Sequence, residues 1–177
     1  TPAIGGSQTY TRGLAETLAG LGTAAHVVVA DVTDSEAFYE LGHAATGLGT
    51  QTLDGVAVHR IPLLPKREQP VTSRRTVETI LARNRRRFNR NFCRELARVA
   101  PDVVIALPHL FPNVEEAVGL RDGSRWRLVY APHLHEEDPW WPAERVAHAV
   151  RRADALIALT SHERDRLVEA YSADSSR

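Results

Sequence analysis

The sequence predicts an α/β fold in which a parallel sheet is flanked by helices, and three observations carry that prediction. Short apolar runs rich in β-branched residues alternate with amphipathic helical segments along the chain. The runs are continuously apolar, as expected of strands buried on both faces of a parallel sheet. At 177 residues, 43% hydrophobic and 25% charged, the chain can fill a core without disulfides or metals, since a domain of this size buries roughly 70% of its unfolded surface.

Tyr10, Leu14, Leu18 and Leu21 recur at helical spacing, which predicts a helix from about Ser7 to Leu21, with Ser7 as its N-cap and Gly22 placed to end it. The apolar run His26 to Ala30 follows as a buried strand. A second strand is expected over Val56 to Ile61, closed by Pro62. Between them Asp31 to Asp54 is rich in Gly and Thr and reads as loop, with one short helix around Ser35 to Leu41. From Ser73 to Val99, Val77, Ile80, Leu81, Phe88, Phe92, Leu96 and Val99 trace one face of a long helix, or of two in succession. Its other face is mostly arginine. Three further strands, Asp102 to Leu107, Arg127 to Ala131 and Asp154 to Leu159, are each succeeded by a helical segment. The last leads into Thr160-Ser161-His162-Glu163, where Thr160 is placed to cap a helix running to about Tyr171, and Glu163 to complete a capping box. The domain is therefore expected over 1–171, with 172–177 as the start of an interdomain linker.

The charge balance is neutral overall and uneven locally. Between Arg60 and Arg98 twelve basic residues face three glutamates, a charge that can lie on an anionic membrane surface or bind nucleic-acid phosphates. A peripheral contact of residues 73–98 with an anionic membrane fits such a helix; nucleic acid fits less well, because no aromatic platform accompanies the charge. The plain alternative is a solvated helix face. No apolar run is long enough to span a bilayer, and no secretory signal is visible. Cys93 is the single cysteine, so an internal disulfide is excluded and a cytoplasmic location, peripheral at the inner membrane face if the helix docks there, is the expected one.

Two segments could carry chemistry. Gly5-Gly6-Ser7 precedes the first helix, where glycine gives a ligand room to approach and the helix N-terminus offers unpaired N–H groups to a phosphate or sugar oxygen. The full dinucleotide fingerprint is missing there. The second is Pro132-His133-Leu134-His135-Glu136-Glu137-Asp138-Pro139-Trp140-Trp141, directly after a buried strand, where open parallel sheets collect their ligands. His133 could hydrogen-bond or relay a proton, Glu136, Glu137 or Asp138 could orient an acceptor hydroxyl, and Trp140 could give a sugar ring a flat face. The competing reading is an acidic loop pinned by packed tryptophans. His109, just past the strand ending at Leu107, could line the same cleft. The pair His133 and His135 with nearby carboxylates has zinc-type ligands, but the further histidine of a metallohydrolase pattern is missing, and no metal site is expected. His26, His43, His59, His148 and His162 lack supporting context and read as structural or surface residues.

Taken together, the segments resemble the N-terminal domain of the GT-B glycosyltransferases of family four, a Rossmann-like half of a two-domain enzyme. Gly5 to Tyr10 and Leu14 to Gly22 resemble the family's Gly-Gly loop and first helix. Thr23 to Val29 is similar to its "G-H-x-V-x-V" strand. Pro101-Asp102-Val103-Val104-Ile105 resembles "P-D-V-V-H", with Ile105 replacing the usual histidine. Val129 to His133 resembles the strand ending in the active-site histidine, and Ala153 to Ser161 the "A-D-x-x-I-x-x-S" strand.

The resemblance implies a retaining transferase that moves a sugar from a nucleotide-sugar donor to a glycan, lipid or small-molecule acceptor, without a metal or other cofactor. His133 would contact the transferred sugar as the catalytic residue, and Gly5, Gly6 and Ser7 would approach the donor phosphate or acceptor. His109, His135, Glu136, Asp138, Trp140 and Ser161 complete the expected substrate-binding set. The donor would be held mainly by a C-terminal domain, so the 177-residue chain is expected to be inactive alone. The family also has a strand before the Gly-Gly loop that Thr1 starts too late to contain, so upstream residues are expected in the intact protein. Two other readings are a non-catalytic module docking through the arginine helix and a metallohydrolase using the His-x-His cluster.

Overall fold

A computed structural model describes residues 6–32, 37, 45–63, 74–108, 112–137 and 142–174. The chain forms two compact units, Thr1–Val99 and Ala100–Arg177.

In the first unit, helix α1 (Gly6–Gly20) leads to strand β1 (His26–Ala30), followed by β2 (Thr50–Leu53), β3 (Val56–Ile61) and helix α2 (Arg74–Val99). Helix α1 already includes Gly6, so Ser7 lies in its first turn, where its carbonyl accepts the Thr11 hydroxyl at 2.7 Å, and is not the expected N-cap. The helix ends as expected at Gly22. That residue has φ 84°, and the pair of bonds from Gly22 N–H to Ala19 O (2.9 Å) and from Thr23 N–H to Leu18 O (3.0 Å) makes a Schellman closure.

The sheet runs β1-β3-β2, with β1 parallel and β2 antiparallel to β3. Strands β1 and β3 have the expected bounds. Strand β2 corrects the expectation that Asp31 to Asp54 is loop to its end. It is joined to β3 by Asp54-Gly55, both with positive φ (50° and 81°), the two-residue turn whose twist suits a hairpin. The expected short helix around Ser35 to Leu41 lies mostly outside the described residues. Buried Asp31, just after β1, accepts the Thr46 hydroxyl and the Gly47 N–H (3.1 Å), which holds the start of this connection.

Helix α2 is one continuous helix of 26 residues. It buries Leu81, Asn84, Phe88, Phe92 and Leu96 in a single stripe. Phe88 and Phe92, one turn apart, stack with ring centroids 6.1 Å apart. Opposite that stripe, Arg83, Arg86, Arg87, Arg90 and Arg94 are exposed.

A polar chain crosses from the sheet to α2. The register places His59 beside Val28, and its ring stacks on exposed His26 with centroids 5.1 Å apart. His59 Nε2 lies 2.9 Å from His26 Nδ1, and His59 Nδ1 lies 2.8 Å from Glu95 Oε1 and 3.0 Å from an Arg98 nitrogen. A neutral His59 that donates from Nδ1 to Glu95 and accepts at Nε2 from His26 Nδ1 pairs both of its own ring nitrogens, and Arg98 then donates to Glu95 (2.5 Å) rather than to the imidazole.

Burial lowers the proton affinity of His59, only partly opposed by Glu95. The unfolded chain therefore binds more protons than the native one between the folded midpoint and about pH 6.5. Stability is expected to be full above about pH 6.5 and to fall as pH drops through that window. Denaturant melts at steps from pH 8 to pH 5 check this: the slope flattens in His59→Gln, and an equal slope in both proteins contradicts it.

The second unit holds β4 (Val103–Ala106), α3 (Pro112–Leu120), β5 (Arg127–Tyr130), α4 (Ala143–Arg152), β6 (Ala155–Leu156) and α5 (Ser161–Tyr171). A short 3-10 turn, Arg121–Gly123, follows α3. The three strands are parallel in the order β4-β5-β6, and every strand is followed by a helix, as the alternation predicted. Leu128 and Tyr130 of β5 are fully buried, and Val114 and Ala117 of α3, Val146, Ala149 and Val150 of α4, and Leu167 and Tyr171 of α5 are buried too; α4 packs on β5, and α3 on β4. Strand β6 is shorter than the expected Asp154 to Leu159, since only Ala155 and Leu156 pair with β5.

Asp154 clips that edge in place. Its Oδ2 accepts from Leu128 N–H at 2.7 Å and from Arg121 Nε at 2.6 Å, while Oδ1 accepts from Arg121 (2.7 Å) and Arg127 (3.0 Å). The Arg121 guanidinium and the Leu128 amide hold this carboxyl well below the usual carboxylate range.

Candidate functional site around His133

The parallel sheet of the second unit brings the loops after β5 and β6 out at the same edge, because parallel strands end on one side. Ala131 N–H still donates to Ala106 O of β4 at 3.0 Å, so the chain leaves β5 as a continuation of the strand. Ala131, Pro132 and His133 are buried. At His133 the backbone turns into the left-handed region, φ 52°, which few non-glycine residues adopt.

His133 is 7% exposed. Burial lowers its proton affinity, Glu163 opposes that effect and His135 adds to it. At neutral pH the imidazole is therefore neutral, one nitrogen donating and the other accepting. Such a group can hydrogen-bond a sugar hydroxyl without introducing charge into the site.

Glu163 is a site residue whose reach the sequence does not disclose. Thr160 caps α5 as expected, its hydroxyl accepting Glu163 N–H at 3.0 Å. The carboxylate does not close the expected capping box on Thr160 N–H. Oε2 accepts Leu159 N–H at 2.7 Å, and Oε1 crosses to Leu134 N–H at 2.9 Å. Buried at 6% exposure, it joins the β5 and β6 loops. The Thr-x-x-Glu spacing signalled the cap; a backbone amide 29 residues away leaves no such signal.

The other expected residues divide. His135 is exposed on the same loop, and Ser161 is exposed at the first position of α5. Glu136 is held by Arg166 (2.7 and 3.0 Å) and by the Tyr171 hydroxyl (2.8 Å), so its charge is neutralised and it anchors the loop to α5. Glu137 is exposed. Gly6 and Ser7 open α1 in the first unit, and a Cβ on Gly6 would meet no atom of the described residues within 4 Å. Gly5, His109, Asp138 and Trp140 lie outside the described residues. The described residues contain no group of three His, Cys, Asp or Glu that could hold a metal ion. A hollow lined by Glu115, Val118, Glu144, Arg145, His148 and Ala149 shares no residue with the His133 loop. It is a surface groove spanned by the Arg145–Glu115 ion pair.

The order of loops, the terminal histidine of β5 and the capped α5 meet one decisive comparison: the sequence model of Glycosyltransferase Family 4 matches residues 4–177. The chain belongs to glycosyltransferase family 4. No curated protein matches it. As a family 4 domain it carries a Rossmann-like α/β architecture and a glycosyltransferase-type function, and its family implies a sugar donor and an acceptor as substrates. Within the family 4 domain, the residues drawn together in the second unit are His133, Leu134, Leu159 and Glu163.

Proposed function

We propose that this family 4 chain is the acceptor-side half of a retaining glycosyltransferase, moving a sugar from a nucleotide-sugar to a glycan, lipid or small-molecule acceptor. The observation that carries the reading is the buried, neutral His133 on a left-handed turn at the carboxyl end of β5. Its role is to hydrogen-bond the transferred sugar near the reacting carbon, with no metal or cofactor assigned. Exposed His135 and Ser161 border the same edge and suit acceptor hydroxyls. The nucleotide diphosphate is assigned to a separate donor-binding domain. The enzyme works in the cytoplasm.

The test is turnover by the intact protein. A panel of nucleotide-sugars is incubated with simple glycoside and lipid acceptors, nucleoside diphosphate release is followed, and the anomeric configuration of the product is read by NMR. One donor giving release with retention supports the reading; release from none, in a protein that binds no nucleotide-sugar, overturns it.

The arginine face of α2 favours an additional reading, contact with an anionic membrane. Among the described residues, most arginines elsewhere are paired, as in Arg12–Glu16, Arg145–Glu115 and Arg166–Glu136. Among the described residues, Arg83, Arg86, Arg87 and Arg90 have no carboxylate partner within 4.0 Å, and all are exposed. No described helix is long and apolar enough to cross a membrane, and the apolar stripe of α2 is already buried, so the contact is purely electrostatic. Sedimentation with phosphatidylserine vesicles is expected to fall steeply between 50 and 300 mM salt, because each arginine contributes about 1 kcal/mol at the surface and is screened. Arg86→Glu with Arg90→Glu abolishes binding; salt-independent binding, or none, contradicts the contact.

A further inference from the structure

The Glu163 carboxylate is more than the cap of its own helix. A carboxylate at 6% exposure needs compensation. Among the described residues no cationic side chain pairs with it within 4.0 Å. Two backbone N–H groups and the N-terminus of α5 stabilise its charge instead. Capping alone would use amides of the α5 entry, as the bond to Leu159 does. The second oxygen is spent on Leu134, the residue that follows the left-handed His133. A turn in that conformation persists only when its surroundings hold it, and the Leu134 amide is a point at which it is held.

We infer that Glu163 is the positioning residue of the transfer site: through Leu134 N–H it fixes the turn that carries the His133 imidazole, and through Leu159 N–H it ties that turn to the loop opening α5. The inference rests on the proposed contact of His133 with the transferred sugar. It assigns Glu163 no contact with substrate. Its effect is exerted through His133, by geometry and by negative charge. Among the described residues, the titratable groups facing that imidazole are Glu163 from α5 and His135 from the same loop.

The experiment uses the intact protein with labelled histidine, the His133 resonance being assigned with His133→Asn. Glu163→Gln keeps the side-chain shape and removes the charge. The His133 titration midpoint is expected to move to lower pH, since the Glu163 charge favours the imidazolium. In turnover, kcat is expected to fall about tenfold or more, with a smaller change in donor KM, as for a misplaced catalytic group. Thr160→Ala removes the other half of the α5 cap and leaves the Leu134 bond in place. A purely structural role for Glu163 predicts that both variants act alike; the inference predicts that Thr160→Ala leaves the His133 midpoint unchanged.

An unmoved midpoint in Glu163→Gln, or the same shift in Thr160→Ala, overturns the assignment. Glu163→Asp, one methylene too short to span both loops, serves if the Gln variant does not fold. Its kcat falls as well, and an unchanged kcat overturns the assignment too. The midpoint separates this inference from the function it rests on: if His133→Ala keeps full turnover, the proposed role of His133 fails, while the titration still reports whether Glu163 governs the imidazole.

Discussion

His133→Ala in the intact enzyme is expected to lower kcat/KM about 100-fold, equivalent to roughly 2.7 kcal/mol of transition-state stabilisation. The imidazole is buried and neutral at the carboxyl edge of the parallel sheet, so its hydrogen bond to a sugar hydroxyl would form with little competition from water. The loss should fall mainly on kcat if that bond strengthens as the sugar develops positive charge, and on KM if it serves ground-state binding alone. His133→Asn is the control for backbone effects, because asparagine tolerates φ near 52° better than most residues and retains a donor and an acceptor. It is expected to fold normally and keep more activity than His133→Ala. Steady-state kinetics beside thermal melts of both variants check this, and equal activity in all three proteins contradicts a contact with the reacting sugar.

Asp154→Asn is expected to give the largest loss of stability, roughly 3 kcal/mol and a fall in Tm of about 10 °C. The carboxylate accepts from Arg121 through two nitrogens, from Arg127 and from the Leu128 amide. It is the chief tie of a strand with only two paired residues, β6. Asparagine keeps one acceptor and leaves a partly buried Arg121 without its charge partner.

The pH dependence has a fixed sign. The folded carboxyl is held below the usual carboxylate range, so its contribution is present above the unfolded value, about pH 4. It is lost as pH falls through the folded value. Differential scanning calorimetry at pH 7 and pH 3 checks both parts: the gap between wild type and variant is wide at pH 7 and narrower at pH 3. A gap that does not narrow contradicts the assignment to charge.

The strands legible in the sequence are those whose burial leaves a compositional mark. His26 to Ala30 and Val56 to Ile61 are apolar and β-branched, and the structure gives them the expected bounds. Strand β2, Thr-Gln-Thr-Leu, is mostly exposed at a sheet edge, so it carries no apolar signal. Its readable mark is the following Asp-Gly pair, a hairpin turn dipeptide between two extended segments. Helix α2 was legible because its apolar spacing survives an arginine-rich background.

The site was legible in part. The strand-to-loop position of His133 and the Thr160 cap follow from local pattern. The bond from Leu134 to Glu163 does not, because its donor is a backbone N–H, which every residue but proline offers alike. The His26–His59–Glu95 chain was hidden for a related reason: only the parallel register of β1 and β3 and the packing of α2 bring residues so distant in sequence together.

The most direct measurement is a crystal structure of the intact protein with a bound nucleotide-sugar or a non-transferable analogue. A His133 ring nitrogen is expected within about 3.2 Å of a hydroxyl on the donor sugar, with the Glu163 to Leu134 bond intact. A sugar bound away from residues 131–137, with that imidazole still enclosed by protein, would contradict it.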